Sequence, residues 1–320
     1  MPPQSELSTS IDIEAAYRTL FEDAHVIQHA KIVRSEILSR EFDADIMLVS
    51  ELDQITNSYK IRGVYNWFAS NAQSNVQEVV AYDADNHAAA VAWCAGHFGV
   101  RTTVHISENT PQQNREYIQR LGGNAVQLVT DAETAKADAL HTAGQAASTA
   151  IIHPHDDIHL VAGQGTVGLE IIDNIAHVDI ISSPIGYGNL LSGLIYATKS
   201  HRNISYIGSE PDTAAALSHN LWRPDAQLEH VDTSTRDVVQ KVGNIVLQTL
   251  AELDDRFWVV RPNTERLLQD ITKLQNEKNN LNPDMCGVLS VSALSYIKPY
   301  IQGKTVACVL SSSSPDLLQQ

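Results

Sequence analysis

Cysteine, methionine and aromatic residues are scarce in this 320-residue chain: three Cys, three Met, and 6% Phe, Trp and Tyr together. Cys94, Cys286 and Cys308 stand far apart, without the paired spacing of a zinc site, and their odd number does not suit a disulfide framework. They read as small core residues of a protein kept in a reduced cytoplasm. Positive charge is short as well. Lys and Arg number 22 against 38 Asp and Glu, giving a formal net charge of −16 that is spread along the chain. That balance argues against nucleic-acid or anionic-membrane binding and favours solubility. No apolar run approaches the ~18–20 residues of a membrane span. The start, Met1-Pro-Pro-Gln-Ser-Glu, lacks the charged and apolar stretches of a signal peptide.

What the chain does have is apolar content, 43% of its residues, enough for one large or two modest domains. Residues 1–10, polar and with two prolines, read as disordered. Beyond them, strand-like runs appear at Ile46–Ser50, Val79–Tyr82, Thr102–Ile106, Ala125–Val129, Val178–Ile181, Ile204–Gly208, Phe257–Val260 and Thr305–Leu310. Segments of helical periodicity lie between most of them, for example Asn86–Phe98, Asp131–Ala147 and Glu265–Lys278. Such alternation predicts crossover connections and a parallel sheet covered by helices. In sheets of that kind ligands gather at the carboxyl ends of strands. Four polar segments sit at such ends: Asp83–Asn86, Pro184–Asn189, Gly208-Ser-Glu210 and Ser311. The pattern therefore predicts one shared pocket.

The most informative segment is Thr56-Asn-Ser-Tyr-Lys-Ile-Arg-Gly63, which sets Lys60 between a polar turn and a helix beginning near Ile61. A lysine at such a junction can serve as a Schiff-base amine, because burial and local dipoles keep it nucleophilic.

Ser58-Tyr-Lys-Ile-Arg-Gly63 resembles the Ser-Phe-Lys-Ile-Arg-Gly motif of the fold-type II pyridoxal-phosphate enzymes, the group of threonine dehydratase and serine racemase, with Tyr59 in place of Phe. Asn86-His87 is similar to the family's Asn-His block, and His153-Pro154 followed by Ala162-Gly-Gln-Gly-Thr166 to its His-Pro…Ala-Gly-Gln-Gly-Thr signature. Pro184-Ile-Gly-Tyr-Gly-Asn189 stands in place of the glycine-rich phosphate loop, and Val309-Leu-Ser311 in place of the strand-end serine. The blocks keep the family's order from about residue 20 to about 316. The resemblance implies an α/β fold of two three-layer domains with mostly parallel sheets, the tryptophan synthase β-like architecture. A large domain would take residues 1–67 and 152–320, and a small domain residues 68–151. It also implies pyridoxal 5'-phosphate as cofactor. Lys60 would bond it and then take the substrate's α-proton. Tyr59, Gly186, Tyr187, Gly188, Asn189 and Leu190 would surround it or bind its phosphate, Asn86 its phenolic oxygen, and Ser311 its pyridine nitrogen.

Several positions depart from the family. Gly-Tyr-Gly-Asn replaces four glycines in the phosphate loop, and Tyr187 would be strained if that position required a positive φ. Asp83-Ala84-Asp85 replaces a run of small residues that receives the substrate carboxylate. Ala84 removes the hydroxyl that racemases use as a second acid/base, while Asp83 and Asp85 become candidate catalytic groups. Glu210 matches one ligand of a divalent-cation site, but Ala216 stands where a second carboxylate is expected, so no metal is assigned. Arg236-Asp237 falls near the family's Asp-Gly beside the cofactor ring, and Asn282-Pro283 replaces Glu-Pro. Ser312-Ser-Ser314 reads as a solvated turn, and the histidines as structural or surface groups.

The expected activity is that of a pyridoxal-phosphate-dependent lyase acting on a small β-substituted amino acid. Alternatives are a racemase, a β-replacement enzyme, and an inactive relative serving as a binding module. A homodimer is implied by the resemblance alone. The chain ends soon after Ser311, which leaves no room for the C-terminal regulatory domain of some dehydratases.

Overall fold

The computed structural model describes residues 11–23, 26–82, 86–122, 125–201, 203–222, 242–253 and 255–313. Residues 1–10, Asp83, Ala84, Asp85, Arg236, Asp237 and Ser314 lie outside the described residues.

Ten strands among the described residues form two sheets. They are β1 (Lys31–Arg34), β2 (Asp45–Ser50), β3 (Glu78–Tyr82), β4 (Arg101–Ser107), β5 (Ala125–Val129), β6 (Thr149–Ile151), β7 (Ile180–Pro184), β8 (Ser205–Ser209), β9 (Phe257–Val260) and β10 (Thr305–Leu310). The larger sheet has the order β1-β2-β10-β7-β8-β9, and the smaller β5-β4-β3-β6. Every pairing is parallel except β1 with β2.

The residues of β10 explain its central place. Val306, Cys308 and Leu310 enter one apolar core while Ala307 and Val309 enter another, the period-2 alternation of a strand covered on both faces. Val309 pairs with Val49 and Cys308 with Ser182, so β2, β10 and β7 end together. Ser50, Leu310, Pro184 and Ser209 therefore close one carboxyl edge, from which the Lys60 lead-in, Ser311, the phosphate-loop segment and Glu210 continue.

Eight strand segments match the sequence pattern, with β5, β9 and β10 found at the expected bounds. Val178 lies outside β7, which starts at Ile180. The pattern missed β1 and β6, four and three residues long, because neither carries enough apolar residues to stand out. Helices run over Asn86–Phe98, Ala132–Gly144 and Thr264–Gln275. The last two start one residue after Asp131 and Asn263, whose side chains accept from the Thr134 and Arg266 amides at 2.7 and 2.9 Å.

Two helices frame the site, Lys60–Ser70 and Ile158–Asn174. They touch backbone to backbone through glycine. A Cβ at Gly163 would lie 2.4 Å from the Arg62 carbonyl oxygen, and one at Gly63 2.7 Å from that of Leu160. Asn66 Nδ2 donates to the His159 carbonyl at 2.9 Å. Arg62, fully buried, spans the same pair: Nη1 reaches Thr166 Oγ1 at 3.0 Å and Glu170 Oε1 at 2.6 Å. Its Nε and Nη2 each reach Glu51 at 2.7 Å.

Candidate active site

Lys60 opens its helix and is buried, and its amide donates to Ser58 Oγ at 3.3 Å. The preceding loop is stitched to the end of β10. Tyr59 N–H donates to the Ser311 carbonyl at 3.2 Å, Ser313 N–H to the Asn57 carbonyl at 3.0 Å, and Ser58 bridges Ser312. Asn57 takes a φ of 56°, the left-handed turn that brings the two segments together.

The same stitching corrects the expectation of a solvated serine turn. Ser311, Ser312 and Ser313 are buried, with hydroxyls donating to the Cys286 carbonyl, the Asp284 carboxylate and the Leu52 carbonyl. Packed against the Lys60 lead-in and Pro283, the hydroxyls replace water with protein acceptors.

The phosphate-loop segment leaves β7 at Pro184 and enters the Asn189–Thr198 helix. Gly186 and Gly188 carry positive φ values of 52° and 99°, and Tyr187 is not among the non-glycine residues with positive φ. The strain expected of Tyr187 is thus absent, because the two glycines retained are the two positions that need left-handed backbone. Above Gly186 nothing lies within 4 Å of a built Cβ. Gly188 caps the ten-residue helix with no side-chain hydrogen bond, so the first amides remain available to an anion. The Leu190 side chain is wholly in the core, which leaves only its backbone on the side of the loop.

Beneath this loop runs the His153–Asp157 connection. Asn189 Nδ2 donates to the Pro154 carbonyl at 3.0 Å. Asp156, at φ 57°, accepts from Ile245 N–H at 2.8 Å and Asn244 Nδ2 at 2.9 Å, and Gly243 N–H donates to the Tyr187 carbonyl at 3.0 Å. The Asn244–Leu250 helix is thereby held over the loop, with Val246 filling the space beside Gly188. Burial works to raise the Asp156 carboxyl, but His155 and the Asn244 and Ile245 amides outweigh it and hold the group well below the usual range. His153 lies 3.4 Å from the Tyr82 hydroxyl, and burial lowers its pKa. His155 places its ring 5.3 Å from that of Tyr187, so both histidines belong to the wall around the loop.

Two adjoining clefts result. One of about 340 Å³ is lined by Tyr59, Lys60, His87, Gln164, Tyr187 and Asn189, among others. The second, about 450 Å³, shares Tyr59 and Gly186 with it and reaches Glu210, Cys286 and Ser311. Lys60, Tyr59, the loop and Ser311 thus meet at one place. Asn86 is buried at the start of its helix, one residue before His87, whose Nε2 lies 3.0 Å from the Ile152 carbonyl.

Glu210 is committed to the backbone. Its oxygens accept from the Leu217 and Ser218 amides, each at 2.8 Å, and burial raises its pKa despite those bonds. No group of three or more potential metal-binding His, Cys, Asp or Glu side chains occurs among the described residues. The three cysteines are buried and form no disulfide among the described residues.

The sequence reading missed five residues that the structure puts at or behind the site: Glu51, Arg62, Asp156, Gln164 and Glu170. Arg62 and Gln164 lie within the quoted motifs and Glu170 four residues beyond one of them, and their polar character inside otherwise apolar helices was the available signal.

A buried lysine lining a cleft beside an open anion cradle fits pyridoxal phosphate, which carries an aldehyde and a phosphate. The comparisons agree. The family model described as pyridoxal-phosphate dependent enzyme matches residues 25–312. The L-threonine ammonia-lyase of Thermotoga maritima is 30% identical over 310 residues, covering 96% of this chain and 75% of its own length. Threonine deaminase isoform 2 of Solanum lycopersicum, in its processed form, superposes with a TM-score of 0.86 at 23% identity, over 99% of this chain and 92% of its own. Serine racemase of Dictyostelium discoideum gives 0.83 at 21% identity, over 95% and 99%. The likeness to the last two is one of fold.

Proposed function

The chain belongs to the pyridoxal-phosphate dependent enzyme family, and from that premise we propose an ammonia-lyase that eliminates the β-substituent of a small amino acid. The observation that carries the proposal is the meeting of the Lys60 side chain and the Gly186–Asn189 loop at one cleft. When bound, the cofactor supplies the electron sink that makes an α-proton acidic.

The chain's own residues supply the rest. Lys60 would hold the cofactor through its amine and, once released by the incoming amino group, take the α-proton. Backbone N–H groups from Gly186 to Leu190 would hold the phosphate, Tyr59 and Tyr187 would flank the bound group, Asn86 would bond the phenolic oxygen, and Ser311 the pyridine nitrogen. A neutral hydroxyl at that nitrogen would leave it unprotonated and moderate the sink, which favours elimination or racemisation. Asp83 and Asp85 remain sequence candidates for protonating the leaving group. The missing hydroxyl at Ala84 weighs against a two-base racemase.

The two sheets support a division into domains at 1–67 plus 152–320 and 68–151. We place the enzyme in the cytoplasm because its cysteines form no disulfide among the described residues, and as a homodimer on family grounds, which sedimentation would check.

The test is the visible spectrum of the protein with pyridoxal phosphate, alongside Lys60→Ala, followed by keto-acid assays on serine, threonine and hydroxyaspartate. A band that Lys60→Ala lacks, with keto acid formed from one of these substrates, is the expected result. No band in either protein, or recovery of racemised substrate without keto acid, would overturn the proposal.

A further inference from the structure

Asp156 lines neither cleft, and the proposed chemistry does not use it. It nevertheless stands at φ 57°, a conformation that costs an L residue free energy, and its carboxylate reaches a remote segment. Oδ1 accepts from the Ile245 amide at 2.8 Å and Oδ2 from Asn244 Nδ2 at 2.9 Å, with His155 Nδ1 3.5 Å from Oδ2. Asp157, the next residue, caps the 17-residue helix Ile158–Asn174, its Oδ1 accepting from the His159 and Leu160 amides at 2.8 and 3.2 Å. Asp156 is thereby fixed to the first turn of the helix that crosses the Lys60 helix.

The Asn244–Leu250 helix carries that hold to the phosphate-loop segment at two points. Gly243 N–H donates to the Tyr187 carbonyl at 3.0 Å, and Val246 packs on Gly188. Glycine makes both contacts close. A Cβ at Gly243 would lie 2.7 Å from Asp156 Oδ1 and 3.3 Å from the Tyr187 carbonyl oxygen, so a side chain there would part the anchor from the loop. From the other side, Asn189 Nδ2 donates to the Pro154 carbonyl at 3.0 Å. Pro154 and Asp156 thus grip both ends of the turn that contains the two left-handed glycines. A Gly-Tyr-Gly turn has wide backbone freedom of its own. Amides that converge on one anion bind it best when they are held in place before it arrives.

We propose that Asp156 is a positioning residue for the cofactor phosphate, holding the Gly186–Asn189 backbone in its anion-binding shape through Gly243, Asn244, Ile245 and Val246. The inference rests on the reading of that loop as the phosphate site given under Proposed function. A carboxylate that served stability alone would weaken the fold without preference for one ligand over another. A carboxylate that shapes the loop sets the affinity for the phosphate and leaves the rest of the cofactor's contacts alone.

The test titrates cofactor-free full-length protein with pyridoxal phosphate and with pyridoxal, which has the same aldehyde and no phosphate. The proteins are the wild type, Asp156→Asn, Asn244→Asp and the double variant. Asp156→Asn turns one acceptor into a donor facing Asn244 Nδ2, and Asn244→Asp sets two carboxylates against each other, while the double exchange again pairs donor with acceptor. Each single variant should bind pyridoxal phosphate about tenfold more weakly, the effect of a lost hydrogen bond. The double variant should recover most of that loss, and pyridoxal should bind all four proteins alike. Inorganic phosphate, as competitor, should weaken in step with pyridoxal phosphate. Asp131→Ala, which removes the cap of the Ala132–Gly144 helix, is the control for lost stability and should titrate as the wild type does. Asn244→Ala, which deletes one bond and keeps the carboxylate on the Ile245 amide, serves if the other variants fold poorly. Equal losses for both compounds, unchanged affinity in the single variants, or no recovery in the double variant would overturn the inference and leave the lyase reading intact. A wild type that captures neither compound, or binds the two equally well, sinks the loop reading as well.

Discussion

Arg62 and Glu51 form a two-bond ion pair, 2.7 Å at each nitrogen, with both side chains wholly removed from water. Glu170 joins from the other side at 2.6 Å and turns its second oxygen to the Ala30 amide, also at 2.6 Å. Burial raises the Glu51 carboxyl, opposed by the guanidinium, which is itself held more firmly protonated by the two carboxylates. Breaking such a cluster from its centre strands two buried acids. Arg62→Met should cost about 3–5 kcal/mol, read as a lower urea midpoint. Arg62→Lys should recover little of it, because an ammonium cannot reproduce the forked contact.

The two loop glycines should respond unequally. At Gly186 a methyl group meets open space, so Gly186→Ala carries only the left-handed strain of about 1–2 kcal/mol. At Gly188 the same methyl group would sit 2.4 Å from Val246. Gly188→Ala should therefore lower pyridoxal phosphate affinity well beyond Gly186→Ala in an absorption titration, with partial rescue by Val246→Ala.

Asp156 predicts a stability that depends on acid. Its carboxyl is depressed in the fold, so its ionised form stabilises the native state above the unfolded value near 3.9 and ceases to do so as pH falls through the lower native value. Asp156→Asn, which removes the charge, should lose about 1–2 kcal/mol at pH 7. The gap between the two proteins in chemical denaturation should hold from neutral pH down to about 4 and close below that. A gap that widens on acidification would refute the assignment.

Glu210 tests whether the second cleft answers to a cation. Both oxygens are occupied by the Leu217 and Ser218 amides. Magnesium or calcium should leave the melting temperature of the wild type unchanged. Glu210→Ala should lower stability by about 1–3 kcal/mol by leaving those amides unpaired.

Much of this architecture could be read from residue order. Period-2 apolar runs such as Thr305–Leu310 located the strands, and four polar segments at strand ends located the cleft. Short strands escaped, because Lys31–Arg34 owes its place to pairing with β2 rather than to its own residues. The buried serines escaped for a related reason: their partners, Leu52, Asp284 and Cys286, are remote in sequence. Arg62, Glu51 and Glu170 form one cluster from positions 11 and 108 residues apart, a separation at which local pattern carries no signal. Tyr187 shows the converse. Composition flagged it as a conflict, and the backbone resolved it by assigning the left-handed positions to its neighbours.

The crossing of Gly63 and Gly163 sets limits on how this protein can change. The nearest atom to a methyl group at either glycine is a main-chain carbonyl oxygen, so no second-site replacement of a side chain can make room for one. A saturation library selected for cofactor retention should return glycine at both, while tolerating exchange at exposed positions of the same helices such as Ser70. Tolerance to substitution in this region is set by how closely two backbones approach, and variants with a new pocket will have to arise from the surrounding loops.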